Sequence, residues 1–243
     1  MTPDLALALA MADDADAITM LHFRSAALSV RTKDDRTPVS AADEAVERMI
    51  RQRLAAERPD DGIVGEEFGA GGASERRWII DPIDATKNYI RGIPVFATLI
   101  GLEDGGRLAA GVVSAPALGR RWWAARGEGA FCNGERIRVS QIASIGEAQM
   151  LFDGLDERLL ALARRSARTR GFGDFWQHML VAEGAAEIAI DPVVAPWDMA
   201  AVQIIVEEAG GRFTNLRGEP RHDGGSGVST NGLVHDEVLR ELR

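Results

Sequence analysis

Apolar residues first recur at helical spacing. Leu5, Leu9, Ala12, Ala15, Ile18, Leu21 and Leu28, with Ser25 between the last two, fall on one stripe and predict a helix over residues 4–28. A charged loop, 31–37, and Pro38-Val39 separate it from a second helix beginning at Ser40. Ser40 suits an N-cap, with Asp43 where a capping box places Glu or Gln, and Ala42, Ala45, Val46, Met49, Ile50 and Leu54 form the buried face. Ile63-Val64 reads as a short strand leading into Gly65-Glu66-Glu67. The period then changes. Residues 78–80, 96–102, 108–114 and 121–125 are short apolar runs set apart by glycine and charge, which reads as strands, with 103–106 as a hairpin turn. Beyond residue 155 the pattern predicts a helix over 157–168, a glycine turn (Gly171, Gly173) and a helix over 174–183. A strand over 187–190, a helix over 198–209 stopped by Gly210-Gly211, and a last helix over 235–242 follow. Together these predict an α/β (α+β) layered sandwich: an antiparallel sheet half over 1–145, then a smaller α/β half over 146–243.

Composition narrows the classes of function. With 243 residues, 46% of them apolar, the chain can bury a proper core as one large domain or two closely packed halves. A net charge of −9 argues against a nucleic-acid surface, which needs a basic face. It leaves a phosphorylated ligand open, because a bound cation can supply the local positive charge. Cys132 stands alone, so neither a disulfide framework nor a thiolate zinc cluster is expected, and a cytoplasmic location fits. The apolar start of the chain has no basic n-region and does not read as a secretory signal. No apolar run approaches the ~20 residues of a membrane span.

The most informative stretch is Trp78-Ile79-Ile80-Asp81-Pro82-Ile83-Asp84-Ala85-Thr86-Lys87-Asn88. A strand ends in a turn that carries two carboxylates, and a short helix can begin just after them. Carboxylates bind hard cations and a helix start offers N–H groups to phosphate, so both needs of metal-assisted phosphoryl transfer meet within a few residues. The plainer alternative is that Asp81 and Asp84 cap a turn and a helix. Glu66 at a strand end, Asp198 at a helix start and Asp43 in the first turn of the second helix add acids at element termini. Each also has a plain reading, as a solvated acid, an N-cap or a capping partner.

Gly65-Glu66-Glu67, the run 78–88 and Trp197-Asp198-Met199-Ala200-Ala201 resemble, in this order, the three signatures of the inositol-monophosphatase family. The segment Thr37-Pro38-Val39-Ser40-Ala41-Ala42-Asp43 and the exit Glu207-Glu208-Ala209-Gly210-Gly211 resemble the same family, so the likeness covers about residues 5–240. The resemblance implies an inositol monophosphatase/fructose-1,6-bisphosphatase-like fold and a homodimer. It also implies two or three Mg²⁺ per active site, held by Glu66, Asp81, Asp84 and Asp198 and by the Ile83 carbonyl. Glu66 and Thr86 would orient the attacking water, supported by Asp43, while Asp84, Ala85 and Thr86 would meet the phosphate. Hydrolysis would be direct, with no covalent enzyme intermediate. The family usually has glycine where this chain has Ala85, whose Cβ would hinder a positive φ or a close phosphate approach.

Strings outside these signatures look more like the histidinol-phosphate phosphatase branch: Lys87-Asn88-Tyr89-Ile90-Arg91-Gly92-Ile93-Pro94-Val95, the runs 111–118 and 120–127, Gly173-Asp174-Phe175-Trp176, and Val181-Ala182-Glu183-Gly184. A substrate with an amine and an imidazole calls for acids in its pocket. Asp191 stands at the family's substrate-hydroxyl position and could pair with the amine, beside Asp198. Asp174 could do the same, against a competing reading as the N-cap of the helix that follows. Trp122, Trp123 and Trp176 read as core or dimer-interface residues, and none of His178, His222 and His235 is given a catalytic role. The loop 223–227 lacks a phosphate-loop lysine and reads as a flexible rim. The rivals are a same-fold phosphatase for inositol, sugar or nucleotide phosphates, and a catalytically idle relative hinted at by Ala85.

Overall fold

Helix α1 (Pro3–His22) opens the chain in the computed structural model, which describes residues 1–32, 38–72, 74–154 and 156–242. Most of the loop expected over 31–37 lies outside the described residues. Thr2 caps α1 by accepting the Leu5 N–H at 3.2 Å, with Pro3 in the first turn. The helix ends at His22, short of the expected residue 28. The apolar stripe continues past it because Phe23 and Leu28 pack from irregular backbone onto Tyr89 and Phe96. A ribbon of β1 (Val30–Thr32) and β2 (Pro38–Ser40) leads into α2 (Ala41–Glu57). The capping box forms: the Ser40 side chain accepts the Ala42 N–H at 3.2 Å, and Asp43 Oδ2 accepts the Ser40 N–H at 2.9 Å.

The first sheet comprises β3 (Gly62–Gly65), β4 (Gly69–Gly71), β5 (Arg76–Asp84), β6 (Ala97–Asp104), β7 (Arg107–Ala115), β8 (Arg120–Ala125), β9 (Gly129–Cys132) and β10 (Glu135–Arg136), with the short helix α3 (Thr86–Ile90) after β5. Its order is β10-β9-β8-β7-β6-β5-β3-β4. The sheet is not wholly antiparallel as expected, since β3 runs parallel to β5, and this parallel pairing sets the end of β3 beside that of β5. The β6–β7 hairpin turns on Gly105 and Gly106, with φ of 58° and 74°, while residues 103 and 104 remain in the strand.

The second sheet joins β11 (Gln149–Phe152), β12 (Arg168–Arg170), β13 (Ile188–Asp191), β14 (Arg212–Thr214) and β15 (Gly227–Thr230) in the order β12-β11-β13-β15-β14. Four helices belong to this part among the described residues: α4 (Glu157–Arg165), α5 (Asp174–Ala182), α6 (Pro196–Glu208) and α7 (His235–Glu241). Helix α4 stops at Arg165, not residue 168, because Arg168 already pairs with Gln149 as a strand.

Side-chain alternation along β5 explains the layering. Trp78 and Ile80 meet Leu5, Met11, Val46 and Ile50 of α1 and α2, while Ile79 faces the core shared with α5 and α6. The second sheet repeats the scheme. Leu151 and Ala189 face Val181 of α5, whereas Met150, Ile188 and Ile190 face Leu159 and Leu162 of α4 and Val238 of α7. The layers run α1/α2, first sheet, α5/α6, second sheet, α4/α7. Helix α6 lies close on the first sheet through the cross-strand pair Gly101 and Gly111. A Cβ at Gly101 would stand 2.8 Å from Ala200 Cβ, and one at Gly111 would stand 2.6 Å from Ile204 Cγ2. These two glycines therefore set how near the start of α6 comes to the end of β5.

Candidate metal and phosphate site

In a regular strand Asp81 and Asp84 would face opposite sides. A bulge prevents this. Asp81 pairs with Leu99 and Asp84 with Ala97, so three steps on β5 match two on β6, and the extra residue turns both carboxylates to one side. The Thr98 hydroxyl fixes the bulge by donating to the Pro82 carbonyl at 2.8 Å. Asp198 reaches the same point from α6. It is the third residue of that helix, neither its cap nor its first residue, and its Oδ2 accepts the Ala195 N–H at 2.8 Å. Oxygens of Asp81, Asp84 and Asp198 all lie within 4.8 Å of one another.

Glu66 belongs to the turn after β3, and its N–H donates to the Ile80 carbonyl at 3.2 Å. The turn is built around buried Glu47, which accepts the Glu67 N–H at 2.7 Å and the Phe68 N–H at 3.2 Å. Gly65 leaves room for that carboxylate, since a Cβ there would lie 2.1 Å from Glu47 Oε1. Glu66 is close enough for its charge to raise the pKa values of Asp81, Asp43 and Asp198.

Ala85, ahead of α3, adopts φ 64° and ψ 43°, so this alanine holds the left-handed conformation that suits glycine. The Thr86 hydroxyl lies 2.9 Å from the Ile83 carbonyl and 3.1 Å from Asp43 Oδ1. Its single hydrogen serves one of these acceptors at a time. Asp43 is fully buried, and that burial raises its pKa.

A small cavity of about 60 Å³ adjoins the three acids, with Asp84, Asp153, Asp174, Asp191 and Asp198 in its wall. Asp174 is the first residue of α5, with Gly173 at the N-cap, so the competing reading of Asp174 as the cap does not hold. It has φ 51° and accepts from Asn88 Nδ2 at 3.3 Å. Asp191, nearly buried, receives His178 Nε2 at 2.9 Å and Gln177 Nε2. Val194, also at this cavity, donates its N–H to the Gly225 carbonyl, which brings the 223–227 loop alongside.

Asp153 in the cavity wall, and Asn88, Glu47, Gln177 and His178, which hydrogen-bond to residues around it, are residues to which sequence reasoning gave no role at the site. Asp153 carried a usable signal, an acid directly after the apolar run Met150-Leu151-Phe152. Of the aromatic and histidine residues, Trp122 and His235 are fully buried, and His235 is bonded to Thr214 and Thr230.

So many acids in one place repel. Burial first, then Glu66, Asp84 and Asp198, hold Asp81 well above the ordinary carboxylate range. Burial first, then Asp174 and Asp198, do the same to Asp84, against the pull of the Phe175 N–H. Burial and Asp153 push Asp174 up to about 7, with Lys87 opposing. Burial pushes Asp198 up to about 6, opposed by the Ala195 N–H. The arrangement fits a hard divalent cation. The donors are carboxylate oxygens, and Asp81 Oδ1 is buried without a hydrogen-bond partner among the described residues. A larger cavity of about 670 Å³ lies beside the β6–β7 hairpin, but Glu103 and Asp223 in its wall already pair with Arg77 and Arg221. No helix among the described residues is long and apolar enough to cross a membrane.

Comparison with known proteins places the chain as a whole. The inositol monophosphatase family matches residues 1–243. The histidinol-phosphatase of Mycobacterium tuberculosis is 51% identical, with 98% of this chain and 97% of that protein covered. The histidinol-phosphatase of Streptomyces coelicolor is 48% identical, covering 98% and 96%. Among solved structures, Thermotoga maritima IMPase superposes with a TM-score of 0.90 at 32% identity, covering 99% of this chain and 97% of that one. The match in sequence and in fold runs over nearly the whole length, and the chain belongs to the inositol monophosphatase family.

Proposed function

We propose that this protein is a Mg²⁺-dependent phosphomonoesterase that hydrolyses L-histidinol phosphate to L-histidinol and phosphate. The observation that carries the reading is the near-full-length identity of 51% and 48% to two histidinol-phosphatases. The acid wall supports it independently. Asp153, Asp174 and Asp191 line the cavity next to the metal-type cluster, and an amine with an imidazole complements them better than a second phosphate would.

Glu66, Asp81, Asp84 and Asp198, with the Ile83 carbonyl, would hold two or three Mg²⁺. When bound, the metal supplies positive charge that neutralises the phosphate oxygens and acidifies water. The chain's own groups do the rest. Backbone N–H groups of Ala85 and Thr86, at the start of α3, receive a phosphate oxygen. With its hydrogen given to Asp43 or Ile83, the Thr86 oxygen keeps lone pairs that accept a hydrogen bond from the attacking water, and Glu66 draws that water's proton. Asp43 fixes Thr86 from behind, itself fixed by Ser40. Water attacks phosphorus directly as the ester P–O bond breaks, and the leaving oxygen takes up a proton from solvent water to give the alcohol, so no covalent enzyme intermediate forms. Across the cavity Asp191 and Asp174 receive the cationic end of the substrate, beside Asp198.

The same reading takes the protein as cytoplasmic and as a homodimer, the latter on the strength of the family likeness. Phosphate release from L-histidinol phosphate tests the chemistry. Release should rise with added Mg²⁺ and stop with EDTA, and release indifferent to EDTA would contradict the metal's part.

A further inference from the structure

Asp191 is gripped by neighbouring residues of one helix. Gln177 Nε2 donates to Oδ1, and His178 Nε2 stands 2.9 Å from Oδ2. His178 is fully buried, and its Nδ1 lies 2.7 Å from the hydroxyl of Ser229 on β15, the strand that pairs with the one carrying Asp191. A carboxylate oxygen that accepts from the ring requires a hydrogen on Nε2, which leaves Nδ1 to face the Ser229 hydroxyl. With one donor on each oxygen, the carboxylate cannot rotate without breaking a buried, charge-assisted bond. The lone pairs left over are those available to the cavity.

We propose that His178, oriented by Ser229, is a positioning residue for substrate selection. By fixing Asp191 it makes the cavity wall a rigid anionic receptor, so that the protein favours phosphate esters of cationic amino alcohols over neutral ones. The identity of the substrate rests on the function proposed above. His178 itself is fully buried and acts only through Asp191. A preformed receptor outperforms a mobile one because no ordering cost is left for the binding step.

The test compares kcat/KM for L-histidinol phosphate with that for the same ester lacking the amine, in wild type, H178Q, H178L and S229A. Glutamine can present an N–H near the position of Nε2, and leucine cannot. In H178L the preference for the aminated ester should fall about tenfold, mainly through its KM, and in H178Q threefold or less. S229A removes a single hydroxyl and should lower the preference severalfold, which decides the matter even should H178L not fold. In the metal-free wild type, long-range ¹⁵N–¹H spectra should show His178 Nε2 protonated. A wild-type preference that survives in H178L and S229A would overturn the inference, as would an H178Q as impaired as H178L, or an unprotonated Nε2. A wild type without any preference would instead overturn the substrate reading, and this inference with it.

Discussion

The backbone N–H of Phe175 donates to Asp84 Oδ2 at 2.7 Å, across 91 positions of sequence. This one bond ties the first turn of α5 to the bulged end of β5. It sets Asp174, one residue before, against Asp84, and after burial Asp174 is the largest cause of the raised Asp84 pKa. The positive end of the α5 dipole stabilises negative charge there, but one helix start is worth only about 0.3–2 kcal/mol. That is too little for a cluster of this charge, so either protons or a cation must complete it.

Asp84→Asn tests the cluster's role. The amide oxygen can still accept the Phe175 N–H, so the fold should persist, while the negative charge is lost. Turnover at saturating Mg²⁺ should fall about a thousandfold, equivalent to roughly 4 kcal/mol of barrier. Near-normal turnover would remove Asp84 from the machinery.

Ala85→Gly should stabilise the protein. A left-handed alanine costs about 1–2 kcal/mol, partly offset by the greater freedom of glycine in the unfolded chain, about 0.4–1 kcal/mol. A net gain of about 1 kcal/mol, roughly 2–4 °C in Tm, is expected with turnover maintained or raised. A fall in Tm would show that the site prefers the methyl group for packing, since Ala85 also adjoins the Tyr89 and Phe96 cluster.

Metal and pH should compete. Asp174 at about 7 and Asp198 at about 6 lie above their ordinary 3.8. A raised folded-state pKa contributes stability that is full below about 4 and lost as pH rises through 6 to 7. The metal-free protein should therefore lose Tm between about pH 4 and pH 7, and the gain in Tm on adding Mg²⁺ should be larger at about pH 8 than at about pH 5.5. Equal gains at both pH values would contradict a cation that displaces protons from these acids.

Asp191→Asn should separate binding from chemistry. The amide keeps the shape but loses the charge, so KM for the aminated ester should rise about tenfold or more, with a smaller effect on a neutral ester. Equal losses on both would take Asp191 out of substrate selection.

The sequence carried the acids but not the geometry that gathers them. Asp81 and Asp84 were legible because they follow an apolar strand, yet their shared side depends on a bulge, a matter of register against Leu99 and Ala97. Asp174 looks like a cap because residue type cannot reveal that Gly173 takes the cap position and Asp174 a positive φ. Glu47 and His178 were silent for a related reason. Their parts consist of hydrogen bonds to residues 20 and 13 positions away, which no local pattern encodes. The second sheet was only partly visible, since β12 and β14, three residues each, are too short for alternation to register.

The most direct test of the account is the ratio of kcat/KM for L-histidinol phosphate to that for inositol 1-phosphate at the same Mg²⁺ concentration. An anionic wall of Asp153, Asp174 and Asp191 predicts a ratio of about a hundred or more, roughly 2.7 kcal/mol of transition-state discrimination. A ratio near one, or in favour of inositol 1-phosphate, would contradict it.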